Sequence, residues 1–193
     1  MSHSLRPTIL RYESLPSTNT EAARQAVPGA LEGLCIVARE QTAGRGRQQR
    51  AWASPAGAGL YFSLVLRPRL EMRAWPLLTL MSALAVADAL GEACRLETDI
   101  KWPNDILAGE RKVCGILAET VETNAGRAVM VGIGINLKQC VLPEELLSVA
   151  TSVDPASEAI GRRLVRSTRD PVTSARRSTN ARSSASHSGS LAV

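Results

Sequence analysis

KVCGILAETVE (112–122), TNAGR (123–127) and AVMVGIGINL (128–137) read as strand, turn and strand: two apolar runs joined by a short polar segment carrying Asn124 and Gly126. The pattern predicts a β-hairpin, and the segments around it extend a sheet. ETDIKW (97–102) is a short strand stopped by Pro103, GLYFSLVLRP (59–68) a strand closed by Pro68, and LCIVARE (34–40) a buried strand. Between 74 and 94, Leu77, Leu78, Met81, Leu84, Ala85 and Ala89 recur at helical spacing, which predicts one long buried helix with Pro76 in its first turn. A second helix is expected at AARQAV (22–27), with Thr18 as cap, Glu21 completing a capping box and Pro28-Gly29 as its end. The expectation is an α+β fold: a mixed or antiparallel β-sheet packed by helices on one side.

At 193 residues the chain suffices for one domain with a real core. Aromatics make up only 3% of it, so aliphatic side chains must fill the interior. The longest apolar run, 75–87, falls short of the ~20 residues a bilayer crossing needs and is followed by Asp88 and Glu92, so no membrane span is expected. MSHSLRPTIL lacks the basic and apolar segments of an export signal, which leaves the cytoplasm. Cys35, Cys94, Cys114 and Cys140 are widely spaced without a C-x-x-C pair, as reduced thiols are, and offer neither a zinc site nor a disulfide framework. The net charge of +5 sits at one end: residues 160–193 hold seven arginines and one acid, leaving −1 for the rest. A near-neutral body with few aromatics argues against a nucleic-acid partner, whose electrostatic footprint belongs on the folded surface.

Four stretches carry residues suited to chemistry. In EQTAGRGRQQRAW (40–52), Gly44-Arg45-Gly46-Arg47 is followed by neither G-K-[ST] nor a helix pattern, which excludes a P-loop and a dinucleotide fingerprint. The glycines permit close backbone approach, and Arg45, Arg47 and Arg50 offer planar donors suited to phosphate; a solvated surface loop is the alternative. IKWPND (100–105) gathers Lys101, Asn104 and Asp105 where a strand ends, as a plain turn does and as a site for a nucleotide and its Mg²⁺ would. Lys112 starts the next strand and can return near Asp105, or can simply protect a sheet edge. Gly132 and Gly134 interrupt an apolar strand, which suggests a bulge, another molecule lying on the backbone, or core packing.

In this order and spacing, these residues resemble the biotin protein ligases. The matching residues are Ser17-Thr18-Asn19, Gln41, Gly44 to Arg47, Arg50-Ala51-Trp52, Lys101 to Asp105, Lys112 with Gly115, and Gly132 to Asn136, and they span 17–136. The related lipoate ligases and octanoyltransferases look different in the loop, where a serine and three glycines after paired arginines would be expected. The resemblance implies a class II synthetase-like catalytic core that activates biotin with ATP and Mg²⁺ as biotinyl-5'-AMP. It then implies transfer to a lysine of a biotin carboxyl carrier protein of acetyl-CoA carboxylase or a related carboxylase, with a homodimer possible. By carry-over Ser17, Thr18, Asn19 and Gln41 address the ureido head, and Gly44, Arg45, Gly46 and Arg47 wrap the valeryl chain and phosphate, with Gly115 alongside. Trp52, Lys101, Asn104, Asp105 and Asn136 fall in the nucleotide and metal region. Lys112 lies between the biotin carboxylate and the α-phosphate, Arg47 supports it, and Asp105 assists the attacking amine.

The resemblance divides the chain into a catalytic core, 1–150, and an Arg/Ser-rich tail, 151–193, expected to be disordered. Neither a helix-turn-helix region nor an SH3-like domain is recognisable, so ligase without repressor is the expectation. The tail has the composition a frameshifted or truncated reading frame produces, and a chain that binds biotin without full ligase activity is the alternative function.

Overall fold

The computed structural model describes residues 7–138 and 144–154. Seven strands form one sheet: β1 (Thr8–Leu15), β2 (Leu34–Gln41), β3 (Gly59–Leu66), β4 (Asp99–Lys101), β5 (Asp105–Ala108), β6 (Arg111–Thr123) and β7 (Gly126–Asn136). Their order is β1-β2-β3-β7-β6-β5-β4, with β1 and β2 parallel and the other neighbours antiparallel. The β6–β7 hairpin is the long central pair, in register from Cys114↔Ile135 to Thr123↔Gly126, and Gly126 takes the positive φ of 88° that its turn requires. The sequence gives no comparable signal for β1, whose TILRYESL is mostly exposed.

Helix α1 (Thr18–Ala26) and helix α2 (Leu77–Cys94) lie on opposite faces of the sheet, which corrects the expectation that helices cover one side. On β7, Ala128 and Met130 join Ala22 and Ala26 of α1, while Val129 and Val131 join Ala83, Val86 and Leu90 of α2. Side chains alternate along a strand, so the unbroken apolar run 128–131 demands cover on both faces.

Two helix assignments also change. The N-cap of α1 is Ser17, which accepts from the Thr20 backbone N–H, and not Thr18. Glu21 leaves the capping box to accept from Tyr12, Arg24 and Gln25. In α2 the buried positions are Leu78, Ala83, Val86 and Leu90, whereas Leu77, Met81 and Leu84 are 55%, 59% and 52% exposed. The helix is apolar on most of its circumference, so periodicity could not choose the inward face. Its 18 residues have the length and composition of a short membrane span, yet it packs against β4, β5, β6 and β7 as a wall of the core.

Residues 151–154, which composition places in the tail, pack with the body. Thr151, Ser152 and Val153 are buried, and the Thr151 carbonyl accepts from Asn136 Nδ2 at 2.9 Å. The rest of the expected tail, 155–193, and Cys140 lie outside the described residues.

Candidate active site

The site occupies the α1 face, where β6 and β7 carry glycines instead of side chains. A Cβ on Gly132 would strike Asn19, one on Gly134 would lie 2.5 Å from Trp52 Nε1, and one on Gly115 would lie 2.9 Å from Trp52 Cζ3 and 3.0 Å from Lys112 Nζ. The protein's own Asn19 and Trp52 therefore lie on the bare backbone. Neither Gly132 nor Gly134 is a bulge, since both keep register with β3 and β6.

The first turn of α1 supplies a polar cluster. Thr18 donates to Gln41 Oε1 through its backbone N–H at 2.8 Å and its hydroxyl at 3.1 Å, and Gln41 Nε2 donates to Ser54 at 2.8 Å. Asn19 accepts from the Ser63 hydroxyl at 2.6 Å and donates to the Leu117 carbonyl and to Glu119 Oε2. Its carboxamide donors are thus taken up by the protein, while Ser17, Thr18 and Gln41 line a cavity of about 50 Å³ with Arg45, Gly46 and Arg47. Buried polar groups with fixed partners are pre-oriented to recognise a polar head group.

The arginine-rich segment is a compact turn. Gly46 N–H donates to the Arg50 carbonyl at 2.7 Å, Trp52 N–H to the Gly44 carbonyl at 2.9 Å, and Gln48 and Gln49 adopt φ of 55° and 61°. Non-glycine residues at positive φ are uncommon and point to a conformation held by its surroundings. Gly44 does not line the cavity; a Cβ there would strike the Trp52 carbonyl, so its part is to let the turn close. Arg45 Nη2 bonds Glu119 Oε2 at 2.9 Å and Thr20 at 3.2 Å, and Arg47 Nη1 bonds Asn104 Oδ1 at 3.2 Å.

Beyond Trp52 opens a second cavity of about 990 Å³. Gly46, Arg47, Trp52, Asn104 and Lys112 line both spaces, so the two are adjoining compartments with the indole in their shared wall. Lys112 Nζ stands 2.7 Å from Asp105 Oδ1, with side chains 28% and 26% exposed, and 5.0 Å from the Trp52 ring centroid. Trp52 Nε1 is buried without a hydrogen-bond partner. Lys101 and Asn136 line the second compartment, but the Asn136 amide is directed to the Thr151 and Lys112 carbonyls. Through these bonds, and through a parallel bridge of Lys112 with Ala150, the segment around 150 braces the lysine. Cys114, next to the site in sequence, faces the α2 core, where burial pushes its thiol up to about 12. It is not available as a nucleophile.

Every site residue expected from sequence except Gly44 borders one of the two compartments. Sequence reasoning missed Ser54, Ser63 and Glu119. A serine or glutamate inside a strand or loop has no local signature; only the pairing of β3, β6 and α1 brings them together.

The family model described as "Biotin/lipoate A/B protein ligase family" matches residues 12–136. The chain belongs to this biotin/lipoate A/B protein ligase family. Among the relatives of this biotin/lipoate family member are a bifunctional ligase/repressor BirA of Bacillus subtilis, 44% identical over 152 residues, covering 77% of this chain and 47% of the relative. Another is a biotin--[acetyl-CoA-carboxylase] ligase of Paracoccus denitrificans, 49% identical over 126 residues, covering 63% of this chain and 51% of the relative. The chain spans about half the length of these curated relatives. Its fold matches that of the Aquifex aeolicus biotin protein ligase in complex with biotin and ATP, with a TM-score of 0.65 and 31% identity over 84% of this chain and 72% of that one. It also matches the Leishmania major biotin protein ligase in complex with biotinyl-5-AMP, with a TM-score of 0.68 and 30% identity over 81% and 67% of the two chains. The mixed seven-stranded sheet with its two helices thus matches the fold of these biotin protein ligases.

Proposed function

We propose that this chain is the catalytic core of a cytoplasmic, ATP-dependent biotin protein ligase, which forms biotinyl-5'-AMP and passes the biotinyl group to a lysine of a carboxylase carrier protein. The observation that carries the reading is the pair of adjoining compartments, one polar and small, the other large, with Lys112 and Arg47 at their junction. The small compartment suits a ureido head bound through Ser17, Thr18 and Gln41, and the large one suits a nucleotide near Lys101, Asn104 and Asn136. The names and ligands of the relatives support the same assignment.

A carboxylate oxygen that attacks the α-phosphorus forms a carboxylate–phosphate anhydride as the bond to the bridging oxygen breaks and pyrophosphate leaves. Two anions must meet, so cations fixed at the junction lower the barrier, and the chemistry of Lys112 and Arg47 suits that role. In the second step the carrier amine attacks the carbonyl, AMP leaves with the anhydride oxygen, and the amine loses a proton. Asp105, already beside Lys112, is the carboxylate nearest that junction. Asp105 and Glu110 are the carboxylates lining the nucleotide compartment, a donor set that fits a Mg²⁺ carried mainly by phosphate oxygens and water.

The test is exchange of pyrophosphate into ATP. Exchange that requires biotin is expected, and exchange driven by lipoate or octanoate instead overturns the substrate assignment. Transfer to an apo-carrier fragment, read by avidin blotting, separates the ligase from a chain that only binds biotin.

A further inference from the structure

Glu119 is a carboxylate set behind Asn19 and Arg45, two residues that line the small compartment. Its Oε2 accepts from Arg45 Nη2 at 2.9 Å and from Asn19 Nδ2 at 2.8 Å, and Arg45 reaches on to the Thr20 hydroxyl at 3.2 Å. One oxygen therefore joins the arginine-rich turn to β6 and to the first turn of α1. Arg47, the other guanidinium lining the small compartment, is held by the neutral Asn104 amide.

We propose that Glu119 is a positioning residue: it latches the turn of residues 44–52 over the small compartment through Arg45 while holding the Asn19 carboxamide flat against Gly132. The division of labour among the arginines follows. Arg45 has its charge matched inside the protein and supplies closure, whereas Arg47 keeps its charge for the ligand. Gly132 is part of the latch, because only a glycine there lets Asn19 approach β7 closely enough to meet Glu119. The side chains of Arg45 and Glu119 are 46% and 31% exposed, so the latch is of modest strength and the turn remains able to open. A charge-assisted bond of this kind shifts an open–closed equilibrium by roughly fivefold.

The latch rests on the ligase reading only for its kinetic consequence; its existence is testable in the free protein. Tryptic cleavage after Arg47 and Arg50, mapped by mass spectrometry without ligand, is expected to run about fivefold faster in Glu119→Gln than in wild type. The control is Glu122→Gln, which removes a carboxylate paired with Arg127 at the distal end of the hairpin. The double variant Arg45→Gln/Glu119→Gln is expected to cleave no faster than Glu119→Gln alone. In biotin-dependent exchange, Glu119→Gln is expected to raise KM for biotin about fivefold with kcat within about twofold, because closure contributes equally to ground and transition state. A purely structural role would instead lower kcat in step with thermal stability and leave KM alone. Wild-type cleavage rates in Glu119→Gln, or additive effects in the double variant, overturn the latch. A wild-type chain without biotin-dependent exchange overturns the ligase reading, and the cleavage comparison then still decides the latch.

Discussion

Gly134→Ala tests whether the glycines of β7 exist to seat Trp52. Gly134 has no positive φ, so the backbone accepts alanine without strain, and the whole effect comes from contact. The added Cβ would lie 2.5 Å from Trp52 Nε1 and 2.7 Å from Cε2, well inside van der Waals distance, so the indole must shift off the glycine floor that Gly134 forms with its cross-strand partner Gly115. Overpacking of this kind costs about 1–3 kcal/mol, and the stiffer unfolded chain returns about 0.4–1 kcal/mol. A net loss of about 1–2 kcal/mol lowers Tm by about 3–8 °C for a body of this size. If the strain is relieved by rotation of the ring, the wall shared by the compartments is altered and the seat beneath Lys112 is lost, and biotin-dependent exchange falls with it. Gly91→Ala is the matched control: nothing lies within 4 Å of a Cβ on Gly91 in α2, so that substitution stabilises the fold by roughly 0.5–1 kcal/mol and leaves exchange unchanged. Differential scanning calorimetry beside pyrophosphate exchange reads both quantities. A Gly134→Ala protein with wild-type Tm and wild-type exchange would refute the seating of Trp52 in this position.

Lys112→Ala is expected to abolish adenylate formation, measured as pyrophosphate exchange; near-normal exchange would remove the lysine from the junction. Arg47→Gly is expected to lower exchange less than Lys112→Ala does and mainly to leak biotinyl-adenylate into solution, detected by chromatography of the product, since it removes a guanidinium kept for the ligand and leaves Lys112 in place. The acid limb of stability reports on Glu21. Hydrogen bonds from Arg24, then Gln25 and Tyr12, together with the Arg24 charge, outweigh burial and bring its carboxyl down to about 2 from the usual 4.5. The unfolded chain therefore binds the proton more readily. The contribution is complete above pH 4.5 and is lost as the pH falls towards 2. With Arg24 two-thirds exposed, solvent screening holds its size to about 1 kcal/mol. Tm against pH should fall less steeply across that window in Glu21→Gln than in wild type.

The fold was legible where patterning was strong and local. The apolar runs and turn of residues 112–137 specify the central hairpin, and Pro68, Pro103 and Pro28-Gly29 mark real ends. It was illegible where a pattern serves two answers. An almost uniformly apolar α2 offers no preferred face, and β1, mostly exposed, looks like a connecting segment until β2 is there to pair with it. The two-sided cover of the sheet is also written in the sequence, in the consecutive apolar residues 128–131. For the site, the residues named by the ordered motifs border the compartments, Gly44 excepted, but the walls of the larger one from Leu107 to Arg111 and from Leu146 to Ala150 carry no motif. What the motifs could not supply was how the side chains spend their hydrogen bonds: that Asn19 and Asn136 serve the frame, and that Ser63 and Glu119 serve Asn19.

Strand β7 presents Gly132 and Gly134 to the ligand side and Val129, Val131 and Ile135 to the α2 core, residue by residue in alternation. One backbone is thus floor on its upper side and foundation below. A volume change at Val131 or Ile135 tilts the strand and moves the seats of Asn19 and Trp52 without touching either. Directed evolution towards bulkier biotin analogues should therefore recover substitutions from beneath the sheet as well as from the rim of the cleft.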